Sequence, residues 1–176
     1  MDNENLIQLR VMGLSYTQMQ NGAYALLLEQ IGGPYRIPVV IGAPEAQSIA
    51  IALEGIITPR PLTHDLFSTF AHAFGVQLTR VFIYRFEDGI FSSELTFSDG
   101  ERTITLDART SDAVALAMRT HSPIFTTQEI LDETGFIIHD PEEAQESESA
   151  DSGDEPSGSL SVEALEQERQ RLIDDE

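Results

Sequence analysis

RIPVVIGAPEAQSIAIAL, residues 36–53, decides the fold, because a second stretch copies its pattern. A shift of 67 residues lays it over RTITLDARTSDAVALAMR, residues 102–119, with one residue of slack at the start. Ile37 then falls on Ile104, Glu45 on Asp112, Ala46 on Ala113, Ile49 on Leu116 and Ala50 on Ala117. The same shift carries Asn21-Gly22 and Gly32-Gly33 onto Asp88-Gly89 and Asp99-Gly100. Such dipeptides between β-rich runs mark hairpins, because glycine and asparagine tolerate positive φ. Each copy therefore reads as three strands joined by hairpins, then a helix.

The strands alternate as half-buried strands do. Ile7, Leu9 and Val11 share one face. Phe91, Leu95 and Phe97 share another, with Ser92, Glu94 and Thr96 opposite; Arg102, Ile104 and Leu106 point away from Thr103, Thr105 and Asp107. The first helix is expected to start near Pro44, which suits a first turn, and to end before Gly55. A second is expected near 111–120. The last, 127–134, opens with Thr126-x-x-Glu129, the pattern of a capping box, and stops at Gly135. Hairpins with helices packed on one face predict an α+β, two-layer fold. Its sheet is mixed or mainly antiparallel, built by internal duplication of a β-β-β-α unit.

The chain has 176 residues, enough for one domain with a real core. It contains no cysteine, which excludes disulfides, thiolate metal sites and a cysteine nucleophile. No run of about 18 apolar residues occurs, so no membrane span is expected. The N-terminus MDNENLIQLR is acidic and polar, unlike a signal peptide, and a cytoplasmic protein is expected. The net charge of −20 is uneven: −8 over residues 1–139 and −12 over 140–176. Such acidity counts against nucleic-acid binding, which usually needs positive charge to replace phosphate counterions.

The folded domain is expected over residues 1–138. DPEEAQESESADSGDEPSGS, within 139–159, has eight acids and five serines and reads as a disordered linker. Residues 160–176 read as a short tail helix in which Arg169 interrupts the stripe of Val162, Leu165 and Leu172.

TPRPLTHDLF, residues 58–67, has mostly structural features. The prolines keep the chain extended. Thr63 is placed to cap a helix running to about Phe74, and Asp65 suits its first turn. Leu66, Phe70 and Phe74 form an apolar ridge that Gly75 stops. Arg60 and His64 have no such reason. His64 suits general base or acid work, and Arg60 suits phosphate binding. Asp65 is a candidate to orient His64, though adjacent helix residues do not face each other. A second cluster follows the last strand of the second copy: Asp107, Arg109 and Asp112. The start of the helix there offers N–H groups to an anion, whereas Asp107 and Asp112 suit a hydrated Mg²⁺. The alternative is that Arg109 and Asp112 form a salt bridge. His72, His121 and His139 show no metal-ligand spacing, and neither a P-loop nor a G-x-S-x-G elbow nor a dinucleotide fingerprint is present.

GAPEAQSIAIALEG, TPRPLTHDLF and LDARTSDAVALAMRTHSPIF, in that order, resemble the bifunctional nuclease domain family over roughly residues 6–135. The resemblance implies an α+β domain that often forms dimers, and DNase and RNase activity. The family pattern matches at Glu45 and Ala46, at Arg60, Pro61, Thr63, His64 and Asp65, and at Asp107, Arg109, Ser111, Asp112 and Ala113. Thr110 departs from it, since the family usually has proline there. The tail resembles the first helix of a UVR motif and suggests a protein partner. The expected function is hydrolysis of phosphodiesters in DNA and RNA. His64, Asp65, Asp107 and Asp112 would be catalytic, and Arg60 and Arg109 would hold phosphate. Asp107, Asp112 and Glu45 would hold Mg²⁺ or Mn²⁺. The alternative is a non-catalytic binding or regulatory module acting through protein partners.

Overall fold

A computed structural model describes residues 6–16 and 23–137. The first meander is β1 (Leu6–Tyr16), β2 (Tyr24–Gln30) and β3 (Tyr35–Ile41). It leads into α1 (Ala43–Leu53) and then α2 (Thr63–Ala73). The second meander is β4 (Gln77–Glu87), β5 (Ile90–Ser98) and β6 (Thr103–Arg109), followed by α3 (Thr110–Thr120). The chain then forms β7 (Ile124–Thr127), α4 (Gln128–Thr134) and β8 (Phe136–Ile137). All eight strands form one sheet in the order β6-β5-β4-β7-β1-β2-β3-β8. Every neighbouring pair is antiparallel except β4 with β7. The two meanders thus meet at β7 in a mixed sheet, and the fold is α+β. Each meander ends in a helix, but α2 follows only the first, and β7 and α4 only the second.

The hairpin between β4 and β5 turns at Asp88 and Gly89, with φ of 52° and 80°. Both central residues of a type I′ turn need positive φ, which is why Asp-Gly signals it. Asn21-Gly22, the linker at 139–159 and the tail at 160–176 lie outside the described residues.

One apolar layer holds the helices to the sheet. Leu26, Leu28, Ile37, Val39, Val81, Ile83 and Leu95 point inward from the strands, and Ile49, Ala113 and Leu131 meet them. α1 packs on β1 and β2, α3 packs on β4, β5 and β6, and the two helices pack on each other. α3 is nearly submerged: Ala113, Val114 and Ala115 have no exposed surface. Its small side chains allow close approach on every side, and alanine costs nothing in helix propensity. Among the described residues no helix is long and apolar enough to cross a membrane.

Local details differ from the sequence expectations. Thr63 is the first helical residue of α2 rather than its cap; Leu62 is the N-cap, and its N–H donates to Asp65 Oδ2 at 2.8 Å. Thr127 caps α4 through its hydroxyl. Thr126, the expected cap, belongs to β7 and donates its hydroxyl to Ile83 O at 3.1 Å. A fully buried threonine hydroxyl takes whichever partner the packing offers. The ridge of Leu66, Phe70 and Phe74 is 61–70% exposed. α2 lies against α3, and it turns Phe67 towards Phe97 of β5 with ring centroids 5.9 Å apart. Helical spacing identified a stripe, but not the direction it faces.

Candidate active site

Three helices converge on a pocket of about 530 Å³. Glu45 and Ser48, three apart on α1, line one wall, because residues at that spacing share a helix face. Pro61 and His64 come from the entry to α2, and Arg109 and Asp112 from the entry to α3. Gly42 leaves room for the Glu45 carboxylate: a Cβ there would lie 2.6 Å from Oε2.

The polar groups form one chain of contacts. Arg109 Nη1 donates to Glu45 Oε1 at 2.9 Å. Arg109 Nε and Nη2 donate to Asp112 at 2.8 and 3.2 Å. Asp112 Oδ1 meets His64 Nε2 at 3.0 Å, and His64 Nδ1 meets Ser48 Oγ at 2.9 Å. Arg119 Nη2, from the last turn of α3, donates to Ser48 Oγ at 3.2 Å. Arg119 Nε donates to Asp65, and Nη1 to Ala115 O at 2.9 Å.

Burial pushes the Asp112 carboxyl up, but bonds from Arg109 and His64 outweigh it and hold the group below the ordinary carboxylate range. Asp65 behaves alike: burial raises it, and Arg119 with the Leu62 N–H lowers it further. Bonding to Asp112, with Glu45 adding to it, raises the Arg109 guanidinium above its usual value. Both aspartates are therefore carboxylates at neutral pH. An ionised Asp112 can only accept, so His64 Nε2 carries the hydrogen between them. The Nδ1 of a neutral ring is then an acceptor.

The predicted residues divide. Glu45, His64, Arg109 and Asp112 come together. Asp65 does not orient His64; it binds Arg119, and Asp112 takes the orienting place. The Arg60 side chain has no polar partner among the described residues, though its neighbour Pro61 lines the pocket. Asp107 stands apart. It alternates with Leu106, which pairs with the buried Leu95 on the helix side, so Asp107 faces the other way and accepts from Tyr84 Oη at 3.3 Å. Ser48 and Arg119 were missed. Ser48 had a weak signal in its spacing from Glu45; Arg119 looked like any last-turn arginine.

The sequence has counterparts elsewhere. A family model described as "Bifunctional nuclease domain" matches residues 26–139, which includes every residue of the contact chain. The chain belongs to the bifunctional nuclease domain family. Two uncharacterized proteins from two strains of Mycobacterium tuberculosis are each 39% identical to it over 139 residues. The match covers 79% of this chain and 81% of each relative.

In this bifunctional nuclease domain, Thr110 takes the place expected to hold proline. Its hydroxyl lies 2.6 Å from Ser93 Oγ, and both residues are buried. The two hydroxyls satisfy each other, so the substitution leaves no orphaned polar group. The expected metal ligands do not fit a cation. Asp107 faces away, and the Arg109 guanidinium occupies the space between Glu45 and Asp112. Among the described residues no three His, Asp or Glu side chains converge as a metal site would need.

Proposed function

We propose that this domain hydrolyses phosphodiester bonds in DNA and RNA at the α1–α2–α3 pocket. The observation that carries this reading is His64. It stands at the pocket wall, oriented by a carboxylate, with Nδ1 able to accept a proton. That is the arrangement of a general base, whose contribution is about 10²–10⁴-fold. Arg109 and Arg60 are the groups to receive phosphate. Family membership supports a nuclease-like activity. Acidity elsewhere on the chain opposes polyanion binding, so affinity should be modest, and with two arginines to meet phosphates its fall with salt should be shallow. The test is a cleavage assay on highly purified protein with labelled single-stranded DNA and RNA. His64→Ala should lose at least about 100-fold. Asp107→Asn should keep near-full activity, because Asp107 faces away from the pocket. Equal traces of cleavage in wild type and His64→Ala would indicate contamination and end the nuclease reading.

A second reading rests on the exposed ridge of α2. Beside Leu66, Phe70 and Phe74, the exposed Phe67 packs on the buried Phe97, whose cross-strand partner Ile104 is exposed with Leu106 on the edge strand β6. Exposed apolar surface of this kind marks protein interfaces. A second copy of the chain is the occupant we favour. Light scattering should give a dimer mass for wild type and a monomer mass for Phe70→Glu; equal masses would remove this reading.

A further inference from the structure

Neither ring nitrogen of His64 is open to a water molecule. Nε2 is committed to Asp112 and Nδ1 to Ser48, at 3.0 and 2.9 Å. A base so placed can take one proton without breaking a contact, the hydroxyl proton of Ser48. Serines in mid-helix commonly bond back to their own helix. The Ser48 hydroxyl instead reaches across to α2 and α3. Ser48 is 7% exposed, yet it lines the pocket. Arg119, itself nearly buried, donates to its Oγ and favours negative charge on that oxygen.

We propose that Ser48 is the nucleophile of this site, with His64 as its base and Asp112 orienting His64. The order of roles is that of a serine–histidine–aspartate triad, with the two imidazole nitrogens exchanged. The substrate class, a phosphodiester, rests on the nuclease reading above. Ser48 Oγ attacks phosphorus and its proton passes to His64 Nδ1. The P–O bond to one fragment breaks, and that fragment leaves as an alcohol with the proton from Nδ1. The other fragment is held as a phosphodiester of Ser48. Its formation removes the hydroxyl that occupied Nδ1, which is then free to accept a proton from water. Water attacks phosphorus, the bond to Ser48 Oγ breaks, and the proton returns to Oγ. The sum is hydrolysis of one phosphodiester by one water. Arg119 is a positioning residue: it holds Ser48 and Asp65 and does not line the pocket.

The test uses the full chain and a fluorophosphonate probe, which loses fluoride when a nucleophilic serine bonds to its phosphorus. A single adduct should map to Ser48, be absent from Ser48→Ala, and form about 100-fold more slowly in His64→Ala. Ser48→Ala should lose cleavage as fully as His64→Ala while keeping its thermal unfolding temperature within a few degrees. A second measurement guards against loss through misfolding. The chain has no cysteine, so Ser48→Cys creates a single thiol. A base and a guanidinium beside it should make that thiol react with iodoacetamide at pH 7, about tenfold faster than after adding His64→Ala. A thiol that reacts only at alkaline pH, or no adduct at Ser48, overturns the proposal. So does cleavage by Ser48→Ala at the wild-type rate, which would leave the nuclease reading standing. Adduct formation at Ser48 without any nucleic-acid cleavage would keep the nucleophile and overturn the phosphodiester assignment.

Discussion

α2 and α3 are both eleven residues long, and the candidate site lies where they meet, yet they are held in place by different forces. α3 is packed from all sides, with seven consecutive or near-consecutive residues from Thr110 to Ala117 buried. α2 has no buried residue at all. Its N-terminal turn is fixed by polar contacts instead: His64 to Ser48 and Asp112, and Asp65 to Arg119. A helix held by apolar packing loses stability in proportion to the volume disturbed. A helix held by a few charge-assisted bonds depends on whether each partner is present. His64 therefore sits on the helix of the two whose position is less secured by the core.

Arg119→Met should break this contrast most severely. It removes the charge-assisted bonds to Asp65 and Ser48 and should cost about 3 kcal/mol, the upper end for hydrogen bonds to a charged group. Denaturant unfolding would measure the loss. Hydrogen exchange should quicken across residues 63–73 while α3 stays protected until global unfolding. Equal quickening in both helices would show that α2 is not separately anchored.

Ala115→Leu adds volume where α3 has no exposed surface and should cost about 2–3 kcal/mol through overpacking. Ala73→Leu on the exposed end of α2 should stay within about 0.5 kcal/mol. Comparable costs at the two positions would erase the distinction between the helices.

Acid acts on α2 before α3. The carboxyls of Asp65 and Asp112 are held below their ordinary values, so their contribution is present above about pH 4 and fades as pH falls through the lowered folded values. Stability measured from pH 6 to pH 3 should fall, and Asp112→Asn should flatten that slope. An unchanged slope would mean that the network contributes nothing to folding. The smallest effect is expected from Phe70→Glu, within about 0.5 kcal/mol for the isolated chain, because Phe70 is mostly exposed. A larger loss that depends on protein concentration would reveal a covered ridge.

The fold was legible because it rests on local signals. Period-2 alternation, turn dipeptides and alanine-rich amphipathic helices each act within about ten residues. Pro44, Gly75 and Gly135 marked ends that the structure keeps. The site was legible only in part. His64, Arg109 and Asp112 stood out by residue type, and Glu45 by its correspondence with Asp112. Asp107 was expected among them, but strand alternation sends neighbouring residues to opposite faces, and Leu106 took the inner one.

By itself, the sequence determined the six meander strands, the four helices and the layer they would form, since backbone propensity and apolar period are properties of short segments; β7 and β8, too short to show a period, became strands only through pairing with β1, β4 and β3. Tertiary structure alone decided which polar groups meet. Ser48, His64, Asp112 and Arg119 are separated by up to 71 residues, and their contacts exist only because α1 and α2 both pack against α3. It also decided which stripes are covered, because a helix presents the same spacing whether its ridge faces a core or the solvent.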